Sequence, residues 1–281
     1  MTIETLKTQL DNNPLEYRSK LTIPKNINFG LELELDKINF RETVRLIRTN
    51  FHESWKIKTD KSLTKDHNVE IVSPVLKNTQ ETWKLLQKMG QLLERIKPDY
   101  SKCSFQINFD GSLLPTEKDK VRFLKLYAMY EDIIYRFSKG EDDSFRETLD
   151  VYASPIILAL KGVLDLGEEA TIDLFSDNKR YGIVFKKLTK DLIEFRTPNM
   201  TSNPTIMQNY ITTFYYLLRF ATSRKYNPKE IDDYIDTFYK IYILEGYELL
   251  KTEKALKLSK MIFPHKQDQL FFMHQYIGKQ K

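Results

Sequence analysis

Residues 27–36 read INFGLELELD and alternate apolar and polar side chains without a break. Because successive side chains of a β-strand point to opposite faces, Leu31, Leu33 and Leu35 share one face, while Glu32 and Glu34 share the other. One apolar face and one charged face are typical of an antiparallel sheet that packs on helices through a single side. The stretch therefore predicts a strand of such a sheet.

Further strands follow from the same kind of alternation. They are predicted at residues 54–60, 68–73, 102–110, 180–187 and 191–197. A short polar turn separates the last two, which indicates a hairpin. The short connections favour an antiparallel sheet.

Helical spacing of apolar residues accounts for most of the remaining chain. Helices are predicted at 2–12, 39–51, 79–97, 116 to about 139, 204–223 and 228–250, with short helices and loops over 144–176 and weaker helices to the C-terminus. Asn203-Pro204 and Asn227-Pro228 each place an N-cap residue before a proline at the first helical position. We therefore expect one α+β domain over residues 1–281, with a core at about 28–220 and a helical C-terminal extension at 221–281.

The composition excludes several classes of protein. Of the 281 residues 41% are hydrophobic and 30% are charged, a globular balance that excludes wholesale disorder. No apolar run approaches the length of a membrane span, and the first ten residues, MTIETLKTQL, lack the apolar core of a secretory signal. The single cysteine, Cys103, excludes an internal disulfide framework and suits a reducing compartment. We expect a cytoplasmic protein with no membrane partner.

The net charge and the glycine motifs limit the classes of ligand that the protein is expected to bind. The net charge of +5 comes from 44 basic and 39 acidic residues spread along the chain, without the basic stripe typical of nucleic-acid binding. The 9 glycines include neither a GxxxxGK[ST] loop nor a GxGxxG fingerprint, so the common phosphate-binding loops are absent. A small-molecule or peptide substrate is the expected partner, with no nucleic acid.

The charged strand faces carry the functional signal. Glutamate has a poor β-propensity, yet Glu32, Glu34, Glu70 and Glu194 each lie in the middle of a strand face. Oxygen-rich clusters of this kind suit Mg²⁺ or Mn²⁺. Basic side chains on the predicted hairpin, at positions 180, 186 and 196, suit phosphate oxygens. The pattern leaves two interpretations open, a metal–nucleotide site and an ordinary solvated sheet face.

At these residues the sequence resembles the amidoligase family of the carboxylate–amine ligase superfamily, which includes glutamine synthetase and glutamate–cysteine ligase. The ordered motifs span roughly residues 28–220. Residues 29–34 (FGLELE) resemble the family's G-x-E-x-E strand, and residues 193–196 (IEFR) its I-E-F-R strand. Trp55 to Asp60, Ser62-Leu63 and residues 70–74 (EIVSP) resemble its W…D-x-S-L…E-[IL]-V-S-P block. Residues 127–137, Arg146 and residues 152–155 (YASP) resemble its helical middle more loosely.

One strand departs from the usual family pattern. Where the family has C-G-x-H-V-H, this chain has CSFQIN at residues 103–108, so Gln106 and Asn108 stand at the two histidine positions. Some glutamate–cysteine ligases have a related pattern, C-T-x-Q-V-N-x-D, which CSFQINFD at 103–110 resembles closely. Gln106 is therefore expected either to join the metal ligands or to contact nucleotide and substrate through its amide.

The resemblance implies a curved antiparallel sheet, a half-barrel like that of glutamine synthetase, that holds ATP and Mg²⁺ (or Mn²⁺). It implies metal ligands at Glu32, Glu34, Glu70, Glu194 and Gln106, ATP contacts at Arg180, Lys186, Arg196 and Asn108, and substrate contacts at Asp60, Ser62 and Arg146. Glu194 and Arg196 would be catalytic. The implied reaction converts a carboxylate to an acyl phosphate with ATP, and an amine then displaces phosphate to give an amide. The alternatives are another metal-dependent phosphoryl-transfer enzyme or hydrolase, and a degenerate, non-catalytic binding member of the same fold.

Overall fold

The computed structural model describes residues 3–142, 144–187, 191–238, 246–247 and 249–278. Its strands are β1 (Asn28–Leu35), β2 (Lys56–Lys58), β3 (Val69–Val72), β4 (Leu76–Lys77), β5 (Phe105–Asp110), β6 (Ile183–Lys186) and β7 (Leu192–Phe195). They form one antiparallel sheet in the order β2-β3-β1-β5-β7-β6, and β4 pairs with one end of β1. The expected α+β class with an antiparallel sheet is confirmed, and the sheet is open.

Helices connect the strands and build the C-terminal part. They are α1 (Ile3–Asp11), α2 (Phe40–Asn50), α3 (Gln80–Ile96), α4 (Glu117–Met129), α5 (Glu131–Ser138), α6 (Leu149–Tyr152), α7 (Ile157–Lys161), α8 (Glu168–Leu174), α9 (Pro204–Ala221), α10 (Pro228–Asp236), α11 (Thr252–Ile262) and α12 (Lys266–Ile277). Short 3₁₀ turns lie at Gly111–Leu113 and Leu164–Leu166. Asn203 caps α9 by accepting a hydrogen bond from the N–H of Thr205, as the Asn-Pro motif predicts.

Some predicted boundaries are wrong. The helix predicted from 116 to about 139 divides at Tyr130, whose backbone (φ −108°, ψ 16°) is not helical. The helix predicted over 228–250 ends at Asp236; residues 239–245 and 248 lie outside the described part of the chain. The strands predicted at 54–60 and 180–187 shorten to Lys56–Lys58 and Ile183–Lys186. Alternation identified these strands but not the point at which pairing with a neighbour stops.

The apolar face of the sheet packs on the long helices. Phe29 stacks on Trp83 of α3 with ring centroids 5.9 Å apart, and Phe195 lies against Phe214 of α9 at 4.2 Å. Leu31 at the sheet centre is completely buried. The buried apolar residues of the described chain form one continuous core. This packing leaves the opposite face of the sheet for polar side chains.

The structure gives the environment of the single cysteine and the apolar character of the helices. Cys103 is a free, fully buried thiol within the core. Within the described ranges, no helix combines the length and apolar character needed to cross a membrane.

Candidate active site on the polar face of the sheet

The register of the sheet gathers charged side chains from several strands onto one face. Residues directly opposite each other across an antiparallel pair share a face. The opposed positions are Glu34 with Glu70, Glu32 with Gln106, Asn108 with Glu194 and Lys58 with Glu70. We use the name polar face for the set Glu32, Glu34, Lys58, Glu70, Gln106, Asn108, Lys186, Glu194 and Arg196. Carboxylates distant in sequence therefore share one side of one sheet.

Lysine ammonium groups lie between these carboxylates. Lys186 Nζ on β6 is 2.9 Å from Glu32 Oε1 and also forms an ion pair with Glu194. Lys58 Nζ on β2 is 2.9 Å from Glu70 Oε1 and 3.9 Å from Glu32 Oε2. The repulsion between neighbouring glutamates is thus offset by cations of the protein itself.

Glu32 and Glu70 behave as a coupled pair. Burial, and then the hydrogen bond with Glu32, raises the pKa of Glu70 to about 8. Burial alone would also raise the pKa of Glu32, but the hydrogen bond with Glu70 and the charges of Lys186 and Lys58 hold that pKa well below its usual range. The two carboxyl groups therefore titrate as one pair that shares a single proton at neutral pH.

Gln106 connects two parts of the polar face. Its Nε2 donates to Glu34 Oε1 at 2.6 Å and to Ser104 Oγ at 3.0 Å, and its Oε1 accepts from Arg196 Nη1 at 2.9 Å. The Ser104 N–H donates to the other oxygen of Glu34 at 2.7 Å. Burial raises the pKa of Glu34, although the charge of Arg146 and the Ser104 hydrogen bonds oppose that rise. Both ends of the Gln106 amide are engaged, so this residue positions Glu34 and Arg196.

Arg196 and Glu194 form the most deeply buried ion pair of the polar face. Arg196 Nη1 is 2.7 Å from Glu194 Oε1, and its Nε donates to the Tyr152 carbonyl at 3.0 Å. Glu194 is fully buried between Arg196 and Lys186. Its charge is therefore balanced by two cations from the hairpin, Lys186 and Arg196.

The chemistry of the polar face suits a divalent ion only in part. Carboxylate oxygens are the donors that Mg²⁺ prefers. Among the described residues, however, no three or more histidine, cysteine, aspartate or glutamate side chains form a group arranged to hold an ion. The lysine ammonium groups neutralise the glutamates instead. An ion bound there would compete with Lys58 and Lys186.

The remaining residues predicted for the site do not belong to the polar face itself, although Arg146 and Asp60 lie near enough to Glu34 to influence its pKa. Arg146 is buried and donates to the backbone carbonyls of Arg196 and Thr197 at 2.7 and 2.9 Å, and burial lowers its pKa to about 10. Asp60 accepts from the N–H of Ser62 at 2.7 Å and closes the turn after β2. Arg180 is exposed in a turn before β6, outside the strand in which it was predicted. Arg146 thus supports the chain that follows β7, and Arg180 does not share the polar face.

A cavity of about 600 Å³ adjoins the polar face at the start of β1 and the end of β5. Glu32 and Asn108 line it from the polar face, and Asp110, Asp191, Lys56 and Gly30 contribute to its wall. Further wall residues are apolar: Phe29, Leu31, Val72, Pro74, Val75 and Leu192. The cavity has the size and mixed lining typical of a small-molecule site.

Lys56 in the cavity wall and Lys58 on the polar face were not predicted as site residues. The alternation of residues 54–60 already placed these two lysines on one face of a strand, and that signal was sufficient to group them with the glutamates. What alternation could not supply was the order of the strands, which sets Lys58 opposite Glu70.

A comparison with protein-family models finds no match to this chain. A comparison with curated proteins finds none either. The resemblance to the amidoligases therefore depends on the motifs at residues 28–220.

Proposed function

We propose that this protein is an ATP-dependent carboxylate–amine ligase of the amidoligase type, acting in the cytoplasm on a small-molecule or peptide substrate. A substrate carboxylate attacks the γ-phosphorus of ATP and forms an acyl phosphate with release of ADP. The nitrogen of an amine then attacks the acyl carbon, loses a proton and expels inorganic phosphate, which leaves an amide. A half-barrel curvature of the sheet and one catalytic domain with a helical extension at 221–281 are parts of this proposal.

One observation supports the proposal most strongly. Carboxylates from three strands share the polar face with Lys186 and Arg196. They are Glu32 and Glu34 of β1, Glu70 of β3 and Glu194 of β7. Buried ion pairs are poor sources of stability because desolvation of the charges offsets their attraction. A cluster of this size beside a cavity is therefore better explained by chemistry on a charged substrate.

Each cation has a defined task in this proposal. Lys186 and Arg196 contact opposite oxygens of the buried Glu194, so both are held in position before substrate arrives. They supply charge-assisted hydrogen bonds to phosphate oxygens, and preorganised donors stabilise the charge that develops during transfer. Gln106 fixes the guanidinium of Arg196 through a 2.9 Å hydrogen bond.

Magnesium would be held by the carboxylates Glu32, Glu34, Glu70 and Glu194, whose oxygens are of the required type. When bound, Mg²⁺ would neutralise negative charge on the phosphates of ATP. Because Lys58 pairs with Glu70 and with Glu32, ion binding and these lysine contacts compete for the same oxygens.

The experiment measures ADP release from the purified protein with ATP, Mg²⁺ and a panel of paired carboxylates and amines. We expect ADP to appear only when metal, acid and amine are present. Removing a preorganised charged group lowers such rates by about 100-fold or more, which is the effect expected for Glu32→Gln and Glu194→Gln. Glu169→Gln, an exposed carboxylate on α8, is the matched control. ADP release that is unchanged in both site variants would contradict the proposal, and phosphodiester hydrolysis without ATP would indicate a hydrolase.

The lysine contacts support a second candidate, a non-catalytic binding member of the same fold. In that protein Lys58 and Lys186 would neutralise the glutamates permanently, in place of metal ions. It would bind ATP without Mg²⁺, release no ADP with any substrate pair, and retain ATP binding in Glu194→Ala. The same assay, combined with equilibrium binding of ATP, separates the two candidates.

A further inference from the structure

The cavity beside β1 and β5 differs in charge from the rest of its surroundings. Its wall carries three carboxylates, those of Glu32, Asp110 and Asp191, against the single ammonium group of Lys56. Glu32 is paired with Lys186 at 2.9 Å and Asp191 Oδ1 lies 3.6 Å from Lys120 Nζ, so Asp110 is the wall carboxylate for which the described residues show no ion pair. A hydrogen bond from Ser112 lowers the pKa of Asp110, so that carboxylate is ionised at neutral pH. No arginine is among the lining residues that the structure describes. The wall is therefore unsuited to a triphosphate and suited to a cation.

A second groove, which shares Lys56 of β2 with the cavity, carries the opposite charge. It has a volume of about 630 Å³ and is lined by Arg48, Lys56 and Lys58, with Glu53 as its acidic member. The two spaces are similar in size and share Lys56, and one is acidic while the other is basic. This contrast makes charge the property by which the cavity would select its ligand.

Asn108 supplies an independent observation. It is 6% exposed, and its Nδ2 donates to Glu32 Oε1 at 3.0 Å, which fixes the orientation of the amide. Its Oδ1 is shielded from solvent and has no hydrogen-bond partner among the described residues. Asn28 also lines the cavity, and its Oδ1 is likewise shielded from solvent and without a hydrogen-bond partner among the described residues. Buried acceptors without donors are rare and costly, and a ligand N–H would satisfy them.

We propose that this cavity, the amine cavity, binds the amine substrate as an alkylammonium ion with an apolar body, an assignment that rests on the proposed ligase function. Asp110 attracts the ammonium group, with a weaker contribution from Glu32 and Asp191, whose charges are offset by lysines, and the amide oxygens of Asn108 and Asn28 accept its N–H groups. The apolar wall, which includes Val72, Pro74 and Leu192, contacts the hydrocarbon part. The amine is thereby held beside Glu32, next to the cations that would hold the phosphates.

The test measures binding without ATP or Mg²⁺, so that its outcome is independent of ligase activity. The probes are n-pentylamine, n-pentanol and pentanoate, which share a chain length and differ in charge; saturation-transfer NMR gives their dissociation constants. We expect n-pentylamine to bind at least tenfold more tightly than n-pentanol, and pentanoate not to bind. Equal binding of amine and alcohol would overturn the assignment.

A pair of glycine variants locates the bound probe. A Cβ at Gly30 would lie 3.7 Å from Asn108 Cβ, an ordinary contact, so Gly30→Leu begins without a clash and fills space beside Asn108. Gly162→Leu, where a Cβ would likewise meet ordinary contacts, is the remote control. We expect Gly30→Leu to weaken n-pentylamine binding at least tenfold and Gly162→Leu to leave it unchanged. Amine binding that survives Gly30→Leu in a folded protein, verified by circular dichroism, would contradict the location.

A second pair of variants tests the charge. Asp191 is exposed, so its removal in Asp191→Asn is expected to weaken n-pentylamine binding by no more than about fivefold and to leave n-pentanol unaffected. Asp173→Asn, an exposed carboxylate on α8, is the matched control. A loss of affinity that is the same for the amine and the alcohol would show that charge does not select the ligand. If the amine binds as expected but no ADP is released with any substrate pair, the cavity assignment stands and the ligase proposal fails.

Discussion

The two faces of the same sheet are built on different principles. On the apolar face, Phe29 and Phe195 are held by ring contacts with the helices, and Leu31 at the sheet centre is completely buried. On the polar face, carboxylates pair with lysine and arginine, and the coupled acids Glu32 and Glu70 share one proton. Both faces belong to the same strands, so local strand propensity cannot explain the difference.

The two faces of the sheet contribute differently to the free energy of folding. Burial of aromatic and aliphatic surface is the dominant favourable contribution to folding. Buried ion pairs are close to neutral for folding, and breaking one partner is destabilising because the other charge remains. The apolar face therefore accounts for most of the stability of the domain, and the polar face is the part to which we assign the proposed binding and chemistry.

The largest expected effect is a core truncation on the apolar side. Phe214 is fully buried, and its ring lies 4.2 Å from that of Phe195. Phe214→Ala removes this contact and leaves a cavity, so we expect the free energy of unfolding to fall by about 3–5 kcal/mol. Denaturant unfolding measures it, with Phe40→Ala, an exposed aromatic at the start of α2, as the control. A loss no larger than that of the control would contradict the assignment of stability to this face.

A smaller effect is expected when one charge of the polar face is removed. Glu194→Gln keeps the shape of the side chain but leaves Lys186 and Arg196 without their shared carboxylate. We expect the free energy of unfolding to fall by about 1–3 kcal/mol, because buried groups lose a charged partner. Denaturant unfolding of Glu194→Gln beside Glu169→Gln measures it. An unfolding free energy equal to that of the control would mean that the pair is not buried as described.

Glu131, a carboxylate outside the sheet, can be compared with the glutamates of the polar face because it lacks their lysine contacts. Glu131 accepts hydrogen bonds from the N–H of Ile156 and the hydroxyl of Tyr247, and burial raises its pKa from 4.5 to about 8. Between pH 4.5 and about 8, Glu131 is ionised in the unfolded chain but still protonated in the folded chain. The contribution of Glu131 to the free energy of unfolding is therefore fully present below pH 4.5. It is lost as the pH rises towards 8, by about 1.4 kcal/mol per pH unit.

Unfolding free energies of the native chain and Glu131→Gln at pH 5, 6.5 and 8 measure this dependence. The native chain should lose stability across the series relative to Glu131→Gln, which has no titratable group at this position. Parallel curves for the two proteins would contradict a raised pKa at Glu131.

The smallest effect is expected at the exposed edge of the polar face. The Lys58 side chain is 52% exposed, so its ion pair with Glu70 is screened by water. Lys58→Met should change the free energy of unfolding by no more than about 1 kcal/mol. If Lys58 competes with a metal ion, the same variant should bind Mn²⁺ at least as tightly as the native chain. A marked loss of stability, with no change in Mn²⁺ affinity, would assign Lys58 a structural role.

Much of this arrangement could be predicted from the sequence, and its limits have physical causes. Alternation fixed which side of each strand Glu32, Glu70 and Glu194 occupy, because the period of a strand is two residues. It could not fix which strands are neighbours, since the sheet order is set by contacts distant in sequence. Lys58 therefore went unrecognised as a partner of Glu70 until the register was known.

Side-chain placement within turns was the least predictable feature. Arg180 was assigned to a strand face by extending the alternation of residues 180–187, but the pairing of β6 with β7 begins only at Ile183. Arg146 was expected at the substrate, yet its guanidinium is engaged by backbone carbonyls that follow β7. Such roles depend on carbonyl groups brought together by the tertiary fold, and a sequence pattern does not reveal them.

The most direct test of the polar face is the binding of Mn²⁺ in the presence of a non-hydrolysable ATP analogue, followed by electron paramagnetic resonance. The account predicts that Mn²⁺ binds with the nucleotide to the native chain and to Glu169→Gln, and that Glu70→Gln and Glu32→Gln weaken this binding at least tenfold in folded protein. Equal Mn²⁺ affinity in all four proteins, or no nucleotide-dependent binding in the native chain, would contradict the account.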